Sequence, residues 1–109
     1  MKLIDLSEGM TIETMFRKLL IELTKHTDHL EKKNSKFYVL DMHEKGFRGI
    51  WTVKVALIDQ VIHITMVYPD DIGNGKPIEV LDAIVHELDP EVESAMSSDH
   101  RIYSLRADR

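Results

Sequence analysis

Residues 47–68, FRGIWTVKVALIDQVIHITMVY, decide the fold because they predict two antiparallel strands of one hairpin. Side chains alternate between the two faces of a strand, so the apolar side chains at 51, 53, 55 and 57 share one face, as do those at 62, 64, 66 and 68. A two-residue turn at Asp59 and Gln60 pairs 57 with 62 and 51 with 68, which places every apolar partner on one side. Asp-Gln is not a favoured tight-turn pair, so a longer loop in the same register is the alternative.

A third strand is predicted over 36–42, followed by a turn at 43–46 that ends in Gly46. Pairing 42 with 47 places Tyr38, Leu40 and Met42 on the Trp51 face. It also sets Asp41 opposite Arg48, an opposite-charge cross-strand pair. The sequence therefore predicts strands over 36–42, 47–58 and 61–68. A weak alternation over 101–106 leaves open whether the sheet has three strands or four.

Helical periodicity predicts a long helix over 12–33, with Thr11 as its N-cap. Lys32, Lys33 and Asn34 read as the end of this helix. A second helix is predicted over 78–88, with Pro77 in its first turn, and a short third helix over about 91–97. Antiparallel strands with segregated helices indicate an α+β protein with the helices on the Trp51 face of the sheet.

Composition bounds the class of protein. A chain of 109 residues with 43% hydrophobic and 30% charged residues is expected to form one domain, 1–109. It has no Cys, no apolar run near the ~20 residues that span a bilayer, and no signal-peptide pattern at its start. We therefore expect a cytoplasmic protein that does not interact with membranes.

Charge is distributed unevenly along the chain. Residues 1–56 contain 10 Lys or Arg and 8 Asp or Glu, for a net charge of +2, whereas residues 57–109 contain 4 and 11, for a net charge of −7. Such asymmetry can reflect a basic partner or head-to-tail self-association. A solvated acidic surface without a partner is the interpretation that the general behaviour of surface charge favours.

The sheet face opposite Trp51 is predicted to be too apolar to remain in contact with water. We expect it to be covered by the third helix, by the C-terminal segment or by a second copy of the chain, and we favour the homodimer. The predicted interaction surface is formed by Phe37, Val39, Ile50, Ile58, Val61 and Val67.

Two helical faces carry residue types that bind divalent metals. Imidazole and carboxylate groups at helical spacing can converge on zinc or a similar ion, although polar helix faces also produce such spacing by chance. No cofactor is predicted apart from this metal. The two sets are Glu22, His26 and His29 on the first helix, and Glu79, Asp82 and His86 on the second.

The predicted order of helix, three strands and helix is similar to that of double-stranded RNA-binding domains, which hold phosphates with Lys and Arg near the second helix. Here that segment, KPIEVLDAIVHEL, contains one Lys and three acids, so we exclude nucleic acid as a partner. The order and the acidity are also loosely similar to the small dimeric chaperones of secreted bacterial effectors, without any shared motif.

No stretch carries a catalytic motif. Residues 73–76, GNGK, lack the spacing of a P-loop, and Ser97, Asp99 and His100 are adjacent residues of triad type within a predicted loop. We therefore expect a small cytoplasmic protein that acts through protein–protein contact, as an adaptor, regulator or chaperone-like homodimer. A metal- or small-ligand-binding regulatory domain is the alternative.

Overall fold

Two helices pack on one face of an antiparallel sheet in the computed structural model, which describes residues 10–27, 29–42, 50–69, 76–97 and 99–108. The sheet has six strands in the order β1-β2-β3-β4-β6-β5. The α+β class is therefore confirmed, with more strands than the three to four predicted. The elements in chain order are α1 (Ile12–Thr24), β1 (Leu30–Asn34), β2 (Phe37–Met42), β3 (Trp51–Ile58), β4 (Val61–Val67), α2 (Lys76–Leu88), β5 (Glu93–Met96) and β6 (His100–Leu105).

The central hairpin has the predicted two-residue turn and register. Leu57 pairs with Ile62, and the pairing continues to Thr52 opposite Val67. Both turn residues have positive φ, 49° for Asp59 and 66° for Gln60. Such values are those of a type I′ turn, whose twist matches that of the flanking strands. Strand pairing therefore holds two non-glycine residues in the left-handed region.

The predicted register between β2 and β3 is wrong by four residues. Met42 pairs with Trp51 rather than with residue 47, and Asp41 lies opposite Thr52. The strand begins at Trp51 instead of residue 47, while Arg48 and the predicted turn at 43–46 lie outside the described residues. Because a shift of four preserves the alternation of faces, the predicted inward-facing residues of both strands are correct. The observed register brings Met42 and Trp51 together in the core.

The first helix ends at Thr24, nine residues before the predicted end at 33. Its N-cap is Thr11 as predicted, and the Thr11 hydroxyl accepts the amide of Thr14 at 3.1 Å. Beyond the helix, the Thr27 hydroxyl donates to the carbonyl of Asp41 at 2.6 Å and accepts the amide of His29 at 3.1 Å. The bond to Asp41 joins the segment that follows α1 to the end of β2.

The segment that was predicted to complete the first helix forms β1 instead. Leu30, which fits the helical stripe, pairs with Leu40 of β2, so it still faces the core. The residues read as a helix end, Lys32, Lys33 and Asn34, are the last three of β1, and in the turn that follows the Asn34 side-chain oxygen accepts the amide of Lys36 at 2.8 Å. A single apolar residue at the start of a polar run fits both the helical and the strand period, so the sequence does not decide between them. Here the pairing with β2 selects the strand.

The predicted third helix is also a strand. Asp89, which is only 3% exposed, accepts the amide of Glu91 at 3.1 Å through Oδ1 and that of Arg106 at 3.0 Å through Oδ2. This carboxylate turns the chain after α2, and the following residues then run as β5 alongside β6. The weak alternation predicted over 101–106 corresponds to β6, His100–Leu105.

The core lies between the helices and the Trp51 face of the sheet, as predicted. Within the described ranges, neither helix is long and apolar enough to cross a lipid bilayer. The fully buried side chains of the core include Leu19, Leu23, Leu40, Trp51, Val53, Val55, Ile62, Ile64, Met66, Leu81, Tyr103 and Leu105.

Candidate functional site

The face of the sheet turned away from α1 and α2, here called the outer face, is rich in apolar side chains. Strand alternation places the predicted surface residues of β2, β3 and β4 on this face, and Ile50 immediately precedes β3. Ala56 and Ile102 join them, the latter opposite Thr65. The apolar members are therefore Phe37, Val39, Ile50, Ala56, Ile58, Val61, Val67, Ala95 and Ile102.

Several of these apolar side chains are open to solvent. Ile58 is 53% exposed, Ile50 46% and Val67 39%, whereas Val61 beside Ile58 is only 8% exposed. The third helix and the C-terminal segment, two of the three predicted covers, are strands of the sheet itself. In the described part of the chain, no helix or strand packs across the outer face. Of the three predicted ways of covering the outer face, association with a second copy of the chain therefore remains to be tested.

The apolar surface extends around the end of the sheet that carries the β1–β2 turn. A groove of about 390 Å³ is lined by Phe37, Ala56 and Ile58 on the outer side. On the helix side, a groove of about 270 Å³ has an apolar floor that includes Phe16 and Tyr38, whose rings meet edge to face at 5.9 Å. Both grooves are lined by Lys36 and Leu57, so apolar side chains lie on both sides of this end of the sheet, with a lysine between them.

Polar groups divide the outer face into two apolar regions. Lys54 and Thr65 pair at its centre, with His63 two residues along β4. At the β1 margin, Glu31 forms an ion pair with Lys33 at 2.8 Å, and this hydrogen bond lowers the pKa of the Glu31 carboxyl. The face therefore combines apolar area with charges of both signs, which is typical of a protein interface rather than of a core.

The first predicted metal set loses its helical spacing because α1 ends at Thr24. Glu22 is in the helix and bonds Lys25 at 2.9 Å, whereas His26 and His29 follow the helix in the segment before β1. Imidazole and carboxylate groups can share an ion only when their ligand atoms converge. Nowhere in the described residues does a group of three or more His, Asp or Glu converge in this way.

The second predicted set remains on one helix, and two of its members meet, with His86 Nδ1 3.5 Å from Asp82 Oδ2, but within the described residues no third His, Asp or Glu joins them. His86 Nδ1 lies 2.8 Å from the backbone oxygen of Asp82, and Glu79 lies 4.0 Å from Lys76. The Asp82 carboxylate accepts the Tyr103 hydroxyl at 3.0 Å. These contacts make α2 a packing element with a polar outer side.

The Asp82–Tyr103 contact was not anticipated from the sequence. Tyr103 is fully buried on the inner face of β6, and burial raises the pKa of its phenol. Arg101 completes the cluster, with its guanidinium 5.9 Å from the Tyr103 ring centre and 4.0 Å from Asp82. The alternation over 101–106 could have placed Tyr103 inward, but no sequence signal pairs it with α2.

Ser97, Asp99 and His100 are brought together at the β5–β6 turn without forming a catalytic relay. Ser97 Oγ lies 2.8 Å and Asp99 Oδ1 2.7 Å from the same ring atom, His100 Nδ1. A relay needs the serine and the carboxylate on different nitrogens of the imidazole. Hydrogen bonding to His100 and then to Ser97 lowers the pKa of Asp99, as expected for a polar turn network.

Comparison of the chain with protein-family models, with curated proteins and with solved structures finds no match in any of the three.

Proposed function

We propose that this protein is a non-enzymatic, cytoplasmic homodimer that acts through protein–protein contact, as an adaptor, regulator or chaperone-like protein. The observation that carries the proposal is the outer face, whose apolar side chains are not covered by any helix or strand of the described residues. Exposed apolar side chains grouped on one face and bordered by polar groups usually mark an interface. The occupant that we assign to it is a second copy of the chain.

The size of the outer face suits a dimer. Six strands spaced about 4.8 Å apart, each with about six residues rising 3.3 Å, give a flat area of roughly 25 by 20 Å. Side chains enlarge the accessible surface of such an area, which brings it close to the ~800 Å² per partner of a standard interface. Two sheets stacked face to face would also form the ~10 Å apolar layer of a sandwich.

The charges on the outer face favour association with an identical face. Lys54 lies at the centre, while Asp41 and Glu31 lie toward the β1 margin on neighbouring strands. A two-fold axis displaced from Lys54 would bring each Lys54 toward the acids of the other copy. Contacts of this kind fix the register of an interface more than its affinity.

Dimerisation through the outer face would leave the exposed acids of α2, Glu79 and Glu87, free on the helix side of the sheet. A basic or hydrophobic protein partner could then bind there, consistent with the net charge of −7 over residues 57–109. In this arrangement each dimer presents two equivalent acidic surfaces, as expected of an adaptor.

The proposal is tested by the mass of the protein in solution, measured by sedimentation equilibrium and native mass spectrometry. We expect the wild type to be a dimer, and the double variant Ile58→Lys, Val67→Lys to be a folded monomer. Ile21→Lys on α1 is the matched control, because Ile21 and Ile58 are both 53% exposed. The double variant removes two aliphatic side chains that the dimer would bury and places two positive charges in the interface. We expect it to weaken dimerisation at least about a hundredfold.

A wild-type monomer at high micromolar concentration would contradict the dimer. If Ile21→Lys dissociated the dimer and the double variant did not, the interface would lie on the helices instead. A mass increase of one divalent ion per chain would favour the metal-binding alternative.

A further inference from the structure

The two edges of the sheet differ in how they are protected. At one edge, β1 carries Lys32 and Lys33, and its register is irregular between Lys32 and Asn34. Lysines and bulges are devices that discourage further strand pairing. At the other edge, β5 reads ESAM, with every residue exposed and Met96 63% exposed. Apart from its shortness, β5 has neither device.

The backbone of β5 presents unused hydrogen-bonding groups. The amide of Ser97 donates to the His100 carbonyl at 2.9 Å and closes the β5–β6 turn. In an antiparallel pair, bonded residues alternate with residues whose N–H and C=O face away. Glu93 and Ala95 therefore bond to β6, whereas Ser94 and Met96 direct their N–H and C=O groups outward. These groups have no partner in the described part of the chain.

The surroundings of this edge are acidic. Glu91 and Glu93 lie at the start of β5, and Asp99 lies at the turn that follows it. All three are exposed. Glu93 lies 3.8 Å from Arg106 and Asp99 2.7 Å from His100, and the Arg101 guanidinium contacts Met96 Sδ at 3.0 Å on the helix side of the strand. Residues 89–108 contain five carboxylates and two arginines, and one of the five, Asp89, is buried. A strand that pairs with β5 would pass close to the exposed Glu91, Glu93 and Asp99.

We propose that the edge of β5 binds an extended, positively charged polypeptide segment of another protein as a seventh strand. Ser94 and Met96 would supply up to four main-chain hydrogen bonds, the usual source of affinity in strand addition. Basic side chains would contact Glu91, Glu93 and Asp99, and small ones would lie beside Ala95. A second copy fits less well, because pairing β5 with itself brings the same carboxylates together.

This site differs from the proposed dimer interface, because its main-chain groups lie at the β5 edge in the plane of the sheet, whereas the dimer would use the outer face. The side chains of Glu93 and Ala95 belong to both. Sheet packing and strand addition can occur together. Loss of one would not remove the other, so the two proposals fail separately.

The test uses a ten-residue fluorescent peptide that alternates lysine and valine, capped at both ends, with anisotropy as the readout. Ser94→Pro removes an outward N–H without breaking the ladder to β6, as proline is tolerated at such edge positions. Ser94→Ala keeps the N–H and is the matched control. We expect Ser94→Pro to weaken binding about tenfold or more, and Ser94→Ala to change it less than about twofold.

Charge is tested with Glu91→Gln, Glu93→Gln, which should weaken binding and reduce its salt dependence. Glu13→Gln on α1 removes an acid that is distant in the fold and should change neither. A peptide with glutamate in place of lysine should not bind. Hydrogen exchange in the wild type provides a readout independent of any variant, since the amides of Ser94 and Met96 should become protected when the lysine peptide is added.

Equal binding by Ser94→Pro and Ser94→Ala, with no new protection at Ser94 and Met96, would overturn the proposal. Equal binding of the glutamate peptide would overturn its charge assignment. If the wild type were instead a dimer that Ser94→Pro dissociates, the occupant would be a second copy, which also contradicts the proposal.

Discussion

Two carboxylates of very different exposure connect α2 and the chain after it to β6. Asp82 is 45% exposed at its side chain yet accepts the hydroxyl of the buried Tyr103, and Asp89 is buried and accepts two backbone amides. Buried donors that lose such acceptors destabilise the fold by about 1–3 kcal/mol. These residues therefore position the β5–β6 hairpin, and with it the free edge of β5.

Replacement of Tyr103 by phenylalanine should show how much its buried hydroxyl contributes. Loss of the bond to Asp82 should lower the free energy of unfolding by about 1 kcal/mol at pH 7. Burial raises the phenol pKa in the folded state, so above about pH 10 the unfolded chain loses this proton first. The contribution of Tyr103 is therefore complete below about pH 10 and is lost as pH rises, and Tyr103→Phe should flatten that decline in urea titrations.

The matched control is Asp82→Asn, which keeps an oxygen acceptor and the buried phenol. It should retain the alkaline loss of stability of the wild type. Identical alkaline profiles for the wild type and Tyr103→Phe would show that this phenol is not protected by the fold.

At the scale of elements, the β3–β4 turn holds unfavourable backbone geometry. Asp59 and Gln60 have φ of 49° and 66°, a region that costs a non-glycine residue about 1–2 kcal/mol. Asn followed by Gly is the preferred pair for this turn. The double variant Asp59→Asn, Gln60→Gly should therefore raise the free energy of unfolding by about 1 kcal/mol, measured from urea midpoints.

Gln60→Ala is the control for this effect, because alanine has the same difficulty at positive φ as glutamine. It should leave stability within about 0.5 kcal/mol of the wild type. An equal gain from Gln60→Ala would mean that the side chain of Gln60, rather than the backbone, is unfavourable in the turn.

Elements with a strict period were predictable from the sequence, and polar segments between them were not. The alternation from Trp51 to Tyr68 gave both the faces and the register of β3 and β4. In contrast, 25–34 and 91–97 contain few apolar residues, so their period is weak and tertiary contacts decide. The bonds of Thr27 to Asp41 and of Asp89 to Arg106 are such contacts, and each joins residues distant in the chain.

Of the two candidate surfaces, the outer face was predictable from the sequence and the β5 edge was not. The outer-face residues follow from alternation alone, because face depends only on the parity of the register. The exposed edge could not be predicted, since it requires knowledge that 93–96 is a strand and that it lies outermost. The first metal set lost its spacing because a helix was assumed for His26 and His29, which lie beyond the end of α1.

At the scale of the whole molecule, the two edge strands of the sheet carry charges of opposite sign. The strand order places β1, with Lys32 and Lys33, at one side of the sheet and β5, with Glu93, at the other. Opposite edges of opposite charge could join copies head to tail, which produces open chains rather than closed dimers. The lysines and the irregular register of β1 oppose such growth. A dimer through the outer face avoids it, because that interface closes on itself.

A closed dimer predicts that thermal stability depends on protein concentration. Because association stabilises only the folded state, the Tm of the wild type should rise by several degrees between about 1 and 100 μM, whereas that of a monomer should not change. Differential scanning calorimetry at matched ionic strength measures this.

The Ile58→Lys, Val67→Lys variant should show a Tm independent of concentration, and Ile21→Lys should behave like the wild type. If Tm is constant for all three proteins, outer-face association does not contribute to folding, and the exposed Ile58 and Val67 need another partner. If Tm rises equally in all three, the copies associate through a different surface.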